Sequence, residues 1–384
     1  MKIALLTDGI YPYVIGGMQK HSYYLAKYFA ANSVDVDLYH FSESAAHDIN
    51  KLDIFSEREK LHINSVVLEF PRQDPFPGHY IRASYRYSEK IFNILKHNLD
   101  VDFIYTKGFS GWKLFMEKKK GMQLPPCGVK LHGMNMYDRA YSLRSFAEQI
   151  MLRPPAAFCM RYADYVFSYG GKVTDIIRDK AGVPADKIIE VPAGIEPSWL
   201  SEASFINNRT VQFVFVGRYD RIKGIEDLMA VLGELLKEGH DFGFHFIGPV
   251  PEHLQMKSAA VTYHGTVTSQ SEMQGLLRKM DVLVCPSYSE GMPNVVIEAM
   301  ASGLAVIASD VGAVNIMVSE RTGWLIEPGS RNQLRKAILA AIGTGSTGLQ
   351  VKKIQSLNFV RENLLWEKVI LKLLGEITRK IQAK

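Results

Sequence analysis

Short apolar runs alternate with longer amphipathic ones along the chain, and that alternation predicts βαβ units around parallel sheets. KIALLT (2–7) reads as a strand, MQKHSYYLAKYFAANS (18–33) as a helix and VDVDLYHF (34–41) as the next strand. Further strands are expected at DFIYTK (102–107), VKLHG (129–133), YVFSYG (165–170) and KIIEVPAG (187–194). The polar interval PSWLSEASFINNRT (197–210) reads as a linker. The pattern restarts with VQFVFVG (211–217) and the helix EDLMAVLGELLKEG (226–239). Strands follow at FGFHFIG (242–248), DVLVCPS (281–287), LAVIAS (304–309) and GWLIEP (323–328). One amphipathic helix over roughly 356–380 is expected to close the chain.

Two doubly wound α/β domains fit this pattern better than one large sheet. The expected division is 1–198 and 199–360, with 361–384 returning as a helix to the first domain. Ligands of open parallel sheets bind beyond the carboxyl ends of the strands. Two such edges facing one another would form a cleft, so the loops after the strands are where chemistry belongs.

Composition narrows the class. A chain of 384 residues that is 47% hydrophobic and 22% charged is globular, and its net charge of +5 is too mild for a nucleic-acid-binding module. Cys127, Cys159 and Cys285 are odd in number and far apart, which points to reduced thiols in a cytoplasmic protein. The apolar run before Asp8 is too short for a signal peptide, and no run approaches the ~18 residues of a spanning helix.

Four stretches carry candidate chemistry. In SEGMPNVVIEAMASG (289–303), Pro293 suits a first helical residue. Gly291, Met292, Pro293, Asn294 and Val295 then fall at a helix N-terminus, where free N–H groups and the dipole favour an anion. Asn294, Glu298 and Ser302 form one polar stripe on an otherwise apolar helix, and Glu290 stands in the loop before it. In VGRYDRIKG (216–224), a strand ends at Gly217, and Arg218 and Lys223 flank a short loop, a pair suited to two adjacent phosphates. Gly16 and Gly17 lie between a strand and a helix, where backbone can approach a ligand, with His21 four residues on. His132 sits at the carboxyl end of a predicted strand. No G-x-G-x-x-G is present, which argues against a dinucleotide fingerprint. Asp35-Val36-Asp37 and Asp100-Val101-Asp102 read as strand-edge acids rather than a metal site.

PSYSEGMPNVVIEAMASGLAVIAS (286–309) resembles the E-x7-E signature of retaining glycosyltransferases of family 4, which have the two-domain GT-B fold. The resemblance implies that Glu298 holds the ribose hydroxyls of a sugar nucleotide, that Glu290 faces the donor sugar and that the amides around Met292–Val295 meet the diphosphate. VGRYDRIKG is similar to the family's G-R-x(4)-K-G element, which implies that Arg218 and Lys223 stabilise the departing diphosphate. Gly16 and Gly17 match a glycine pair facing the donor phosphates, and His132 a residue contacting the transferred sugar. Asn135 departs from an acidic residue common there. Ala313 and Asn315 stand where the family often has Gly-Gly-x-x-Glu, and Pro249-Val250-Pro251 replaces a second glycine.

The implied reaction transfers a sugar, with retention, from a nucleotide diphosphate sugar to a hydroxyl of a glycan, lipid-linked or small-molecule acceptor. A UDP-sugar is the expected donor and GDP-mannose the second, with no metal and no further cofactor. A sugar-nucleotide epimerase, a phosphorylase or a non-catalytic nucleotide-sugar-binding subunit are the alternatives. YIRASYRYSEKIFNIL (80–95) and RAYSLRSFAEQIMLR (139–153) suit either ordinary amphipathic packing or a peripheral contact with the inner face of a membrane.

Overall fold

A computed structural model describes residues 1–14, 16–42, 54–71, 76, 78–138, 140, 142–201 and 210–382. Most of the expected linker and two residues of the segment 139–153, Arg139 and Tyr141, lie outside that set. The chain divides into two compact units. One comprises residues 1–169, 173–192 and 366–384, the other 170–172 and 193–365.

The first unit is built on β1 (Lys2–Leu6), β2 (Asp35–Phe41), β3 (Ile63–Leu68), β4 (Phe103–Lys107), β5 (Cys127–Lys130), β6 (Tyr165–Ser168) and β7 (Ile188–Glu190). They form one sheet in the order β3-β2-β1-β4-β5-β6-β7, with every pairing parallel. Strands covered on both faces must be apolar throughout, and Ile3 to Leu6 are fully buried. On one face, Leu25 and Phe29 of the helix Gly17–Ala31 share a core with Trp366, Ile370, Leu373 and Ile377 of the last helix, Trp366–Gln382.

The second unit holds β8 (Gln212–Val216), β9 (Gly243–Ile247), β10 (Val261–Tyr263), β11 (Val282–Cys285), β12 (Ala305–Ser309) and β13 (Gly323–Ile326). Their order is β10-β9-β8-β11-β12-β13, again all parallel. Phe213, Phe244, Val282 and Ile307 meet Leu228 and Leu232 of the helix Ile225–Lys237 in its core.

Three details differ from the sequence reading. Ile63–Leu68 and Val261–Tyr263 are strands that the apolar pattern did not mark. Each is the terminal strand on its side of the sheet, and only one neighbour fixes it. The expected helix over 356–380 is two helices, Gly345–Asn363 and Trp366–Gln382. The break has a backbone cause: Ile195 N–H donates to Leu364 O at 2.7 Å, and Ile195 and Leu365 form an isolated parallel bridge. Pro293 is the N-cap rather than the first helical residue. Its ψ of 117° is extended, and its carbonyl accepts from Val296 and Ile297.

Candidate active site

In the second sheet the strand order reverses between β8 and β11, the place where open α/β sheets bind ligands. Beyond β8, Gly217 N–H donates to Ile247 O at 2.9 Å. Asp220 Oδ1 then accepts from Ile222 N–H at 3.1 Å, capping the short 3-10 turn Arg221–Lys223. Gly224 ends that turn at φ 69°, and a Cβ there would lie 2.1 Å from Pro286 O. Only glycine permits so close an approach of the two loops. Tyr288 N–H donates to Ile222 O at 2.8 Å, a second stitch between them.

The consequence is electrostatic. Lys223 Nζ lies 2.7 Å from Glu290 Oε1, and the same oxygen accepts from Ser287 Oγ at 2.7 Å. Burial opposes the Lys223 charge, but the field and hydrogen bond of Glu290 outweigh it, so the ammonium sits above its ordinary pKa. Arg218 is near enough to push the other way. Two cations and one acid therefore share the carboxyl edge at the reversal point.

The helix Asn294–Ala301 opens beside them. Gly291 O accepts from Ala313 N–H at 2.7 Å, and Ala193 N–H donates to Met292 Sδ at 3.1 Å, so the approach to the helix is held from two sides. Asn294 and Val295 are half-buried at its opening. Glu298 is half-buried one turn on, between the buried Ile297 and Ala299, and Ser302 forms the C-cap. Asn315 packs on Gly171, where an added Cβ would stand 2.2 Å from Asn315 Oδ1. The sequence did not mark Tyr288. Its hydroxyl donates to Asp227, which also binds Arg331 Nε at 2.6 Å, and this ties the β11 loop to two helices.

The first unit places its candidates separately. Gly16 caps the helix Gly17–Ala31, and a Cβ there would lie 2.3 Å from Gln19 Oε1. His21 and His132 meet edge to face, with centroids 5.2 Å apart. His132 Nδ1 is 2.8 Å from the Tyr169 hydroxyl. Burial holds both imidazoles well below their ordinary pKa, and the charges of Lys107 and Lys130 push further. Lys107, fully buried, donates to Met18 O at 2.7 Å and Ser22 Oγ at 2.6 Å. Burial lowers its pKa to about 7, against the pull of Asp8. Asn135 is exposed at the start of a 3-10 turn.

The D-x-D acids lie toward the opposite edge of the sheet: Asp35 opens β2, Asp37 stands two residues into it and Asp102 just precedes β4. Asp37 pairs with Lys2 at 2.9 Å and Asp35 with His62 at 2.7 Å, and Asp102 accepts from Lys2 N–H at 2.7 Å. Among the described residues, no group of three or more His, Cys, Asp or Glu is arranged to hold a metal ion. No described helix is long and apolar enough to cross a membrane. Within the segments 80–95 and 139–153, the helix His79–Leu95 buries Ala83, Tyr87 and Ile91, while Leu143, Phe146 and Ile150 remain exposed.

Comparison with known proteins decides the family. The sequence model for "Glycosyltransferase Family 4" matches residues 15–199, and that for "Glycosyl transferases group 1" matches residues 210–343. The chain belongs to glycosyltransferase family 4. TuaC of Bacillus subtilis, named for teichuronic acid biosynthesis, is 40% identical over 125 residues, which is 33% of this chain and 31% of that protein. A D-inositol 3-phosphate glycosyltransferase of Streptomyces scabiei is 31% identical over 131 residues, 30% of this chain and 29% of that protein. These matches thus span about a third of each relative's own length. Among solved structures, sucrose-phosphate synthase from Thermosynechococcus elongatus superposes with a TM-score of 0.78 at 20% identity, over 100% of this chain and 99% of that one. HepE of Anabaena, solved in complex with UDP, gives 0.67 at 16% identity, over 99% and 100%. At these identities the likeness establishes the fold, which is GT-B, with two Rossmann-like parallel sheets.

Proposed function

We propose that this family 4 chain transfers a sugar from a nucleotide diphosphate sugar to an acceptor hydroxyl, with retention and without a metal. The Lys223–Glu290 pair, at the strand-order reversal and beside Arg218 and a helix opening, carries the reading. As the glycosidic C–O bond breaks, negative charge grows on the diphosphate and positive charge on the sugar ring. Preorganised cations and helix amides stabilise the former at no reorganisation cost. In this reading Arg218, Lys223, Gly217 and the backbone from Gly291 to Val295 take the diphosphate, and Glu298 takes the ribose. Gly16, Gly17 and His132 are proposed donor contacts from the family pattern.

Glu290 Oε1 already accepts two hydrogen bonds. That suits an acid that orients Lys223 and meets the sugar's hydroxyls better than a covalent nucleophile. We therefore favour a front-face route in which the leaving phosphate assists deprotonation of the acceptor. A UDP-sugar is the proposed donor and GDP-mannose the second.

The test is nucleoside diphosphate release across a panel of donors, with and without candidate acceptors. Acceptor-dependent release is expected. Isomerised donor with no release would mean an epimerase, and release that needs inorganic phosphate a phosphorylase. Saturable donor binding with no turnover under any acceptor would mean a binding subunit.

A further inference from the structure

In the first sheet the order reverses between β1 and β4, and a cavity of about 190 Å³ lies beyond that point. Its lining comes from four neighbouring strand ends: Asp8 after β1, Phe41 at the end of β2, Phe70 after β3 and Phe109 after β4. The helix His79–Leu95 covers one side with Tyr80 and Ser84. At this size the cavity is below the range of drug-sized ligand sites and suits a single ring. Aromatic walls offer flat surfaces to the C–H face of such a ring.

Its polarity is selective. Asp8 is half-buried, and burial raises its carboxyl pKa while its field reaches the Tyr80 and Tyr87 hydroxyls. None of the described lining residues is a cation. The nearby Lys107 ammonium is committed to Met18 O and Ser22 Oγ. A phosphate calls for charged or N–H donors, and here it would meet a carboxylate instead.

We propose that this cavity receives the acceptor's terminal ring in unphosphorylated form, with Asp8 accepting a hydrogen bond from one of its hydroxyls. The word acceptor rests on the glycosyl-transfer reading above; the preference for a neutral ring does not.

The full chain is titrated by ligand-observed NMR with methyl α-glucopyranoside and with its 6-phosphate, and separately with UDP by calorimetry. The neutral ring is expected to bind at least tenfold more tightly than the phosphate. Ser84→Trp, which fills the cavity, and Asp8→Asn are expected to weaken it about tenfold and leave UDP affinity unchanged. Should Ser84→Trp fail to fold, as a changed circular dichroism spectrum would show, the near-isosteric Asp8→Asn carries the test. Equal or tighter binding of the phosphate, no binding of either ring, or unchanged ring affinity in Asp8→Asn would overturn the proposal. Absence of UDP binding in the unaltered chain would count against the donor reading alone.

Discussion

One oxygen of Glu290 serves both Lys223 and Ser287, so the acid fixes where the ammonium stands. Removing the carboxylate charge by Glu290→Gln should free Lys223 and cut transfer, and Lys223→Ala removes the cation itself. Losing one electrostatic donor typically costs about 10²–10³ in rate. Each variant, together with Glu298→Ala, is expected to show a loss of that order in single-turnover transfer with an unchanged circular dichroism spectrum. Wild-type turnover in Lys223→Ala and Glu298→Ala would show the donor site to be misassigned. The Lys223–Glu290 pair is not legible as a contact in the sequence, because the residues stand 67 positions apart. The sequence marks each residue type; only the strand order makes them neighbours. Asp8 is not legible as a site residue for a different reason, since a lone acid after a strand carries no spacing signal.

At the scale of elements, the loops after β8 and β11 hold their approach through Gly224. Gly224→Ala would place a methyl 2.1 Å from Pro286 O at a positive φ. Strain of this kind costs about 1–3 kcal/mol, and it would displace the turn that carries Lys223. The expected outcome is a lower denaturation midpoint together with reduced transfer. Unchanged values for both would show that the loops are not coupled there. Strand cores such as IALL and VLVC are legible because parallel strands buried on both faces read as continuous apolar runs. Ile63–Leu68 is not, since Asn64 and Ser65 interrupt its run, and Val261–Tyr263 has too few residues to show a period. The break after Asn363 is hidden because its cause is a bridge to Ile195, far away in sequence.

For the molecule as a whole, the buried bases of the first unit set a pH dependence. His21 and His132 stay neutral when folded, whereas in the unfolded chain they protonate below their ordinary 6.5. Folded Lys107 likewise releases its proton at about 7 against an ordinary 10.5. The unfolded chain thus binds more protons across this window, and stability rises with pH. Each such group contributes up to about 1.4 kcal/mol per pH unit. Urea midpoints should climb from pH 5 to pH 9, and a flat or falling series would contradict the burial of these groups. Fold class and family are legible in the sequence because the glycines, the cations and the E-x7-E stretch lie in compact local motifs. The cavity of the first unit is less so, because it is assembled from four strand ends that share no motif.

Donor binding as proposed depends on a site in the second unit that concentrates positive potential for a pyrophosphate. Calorimetric titration with UDP tests it most directly, comparing the unaltered chain with Lys223→Ala and Arg218→Ala. Saturable binding that falls at least tenfold in each variant is the predicted result. Equal affinity in all three would contradict it.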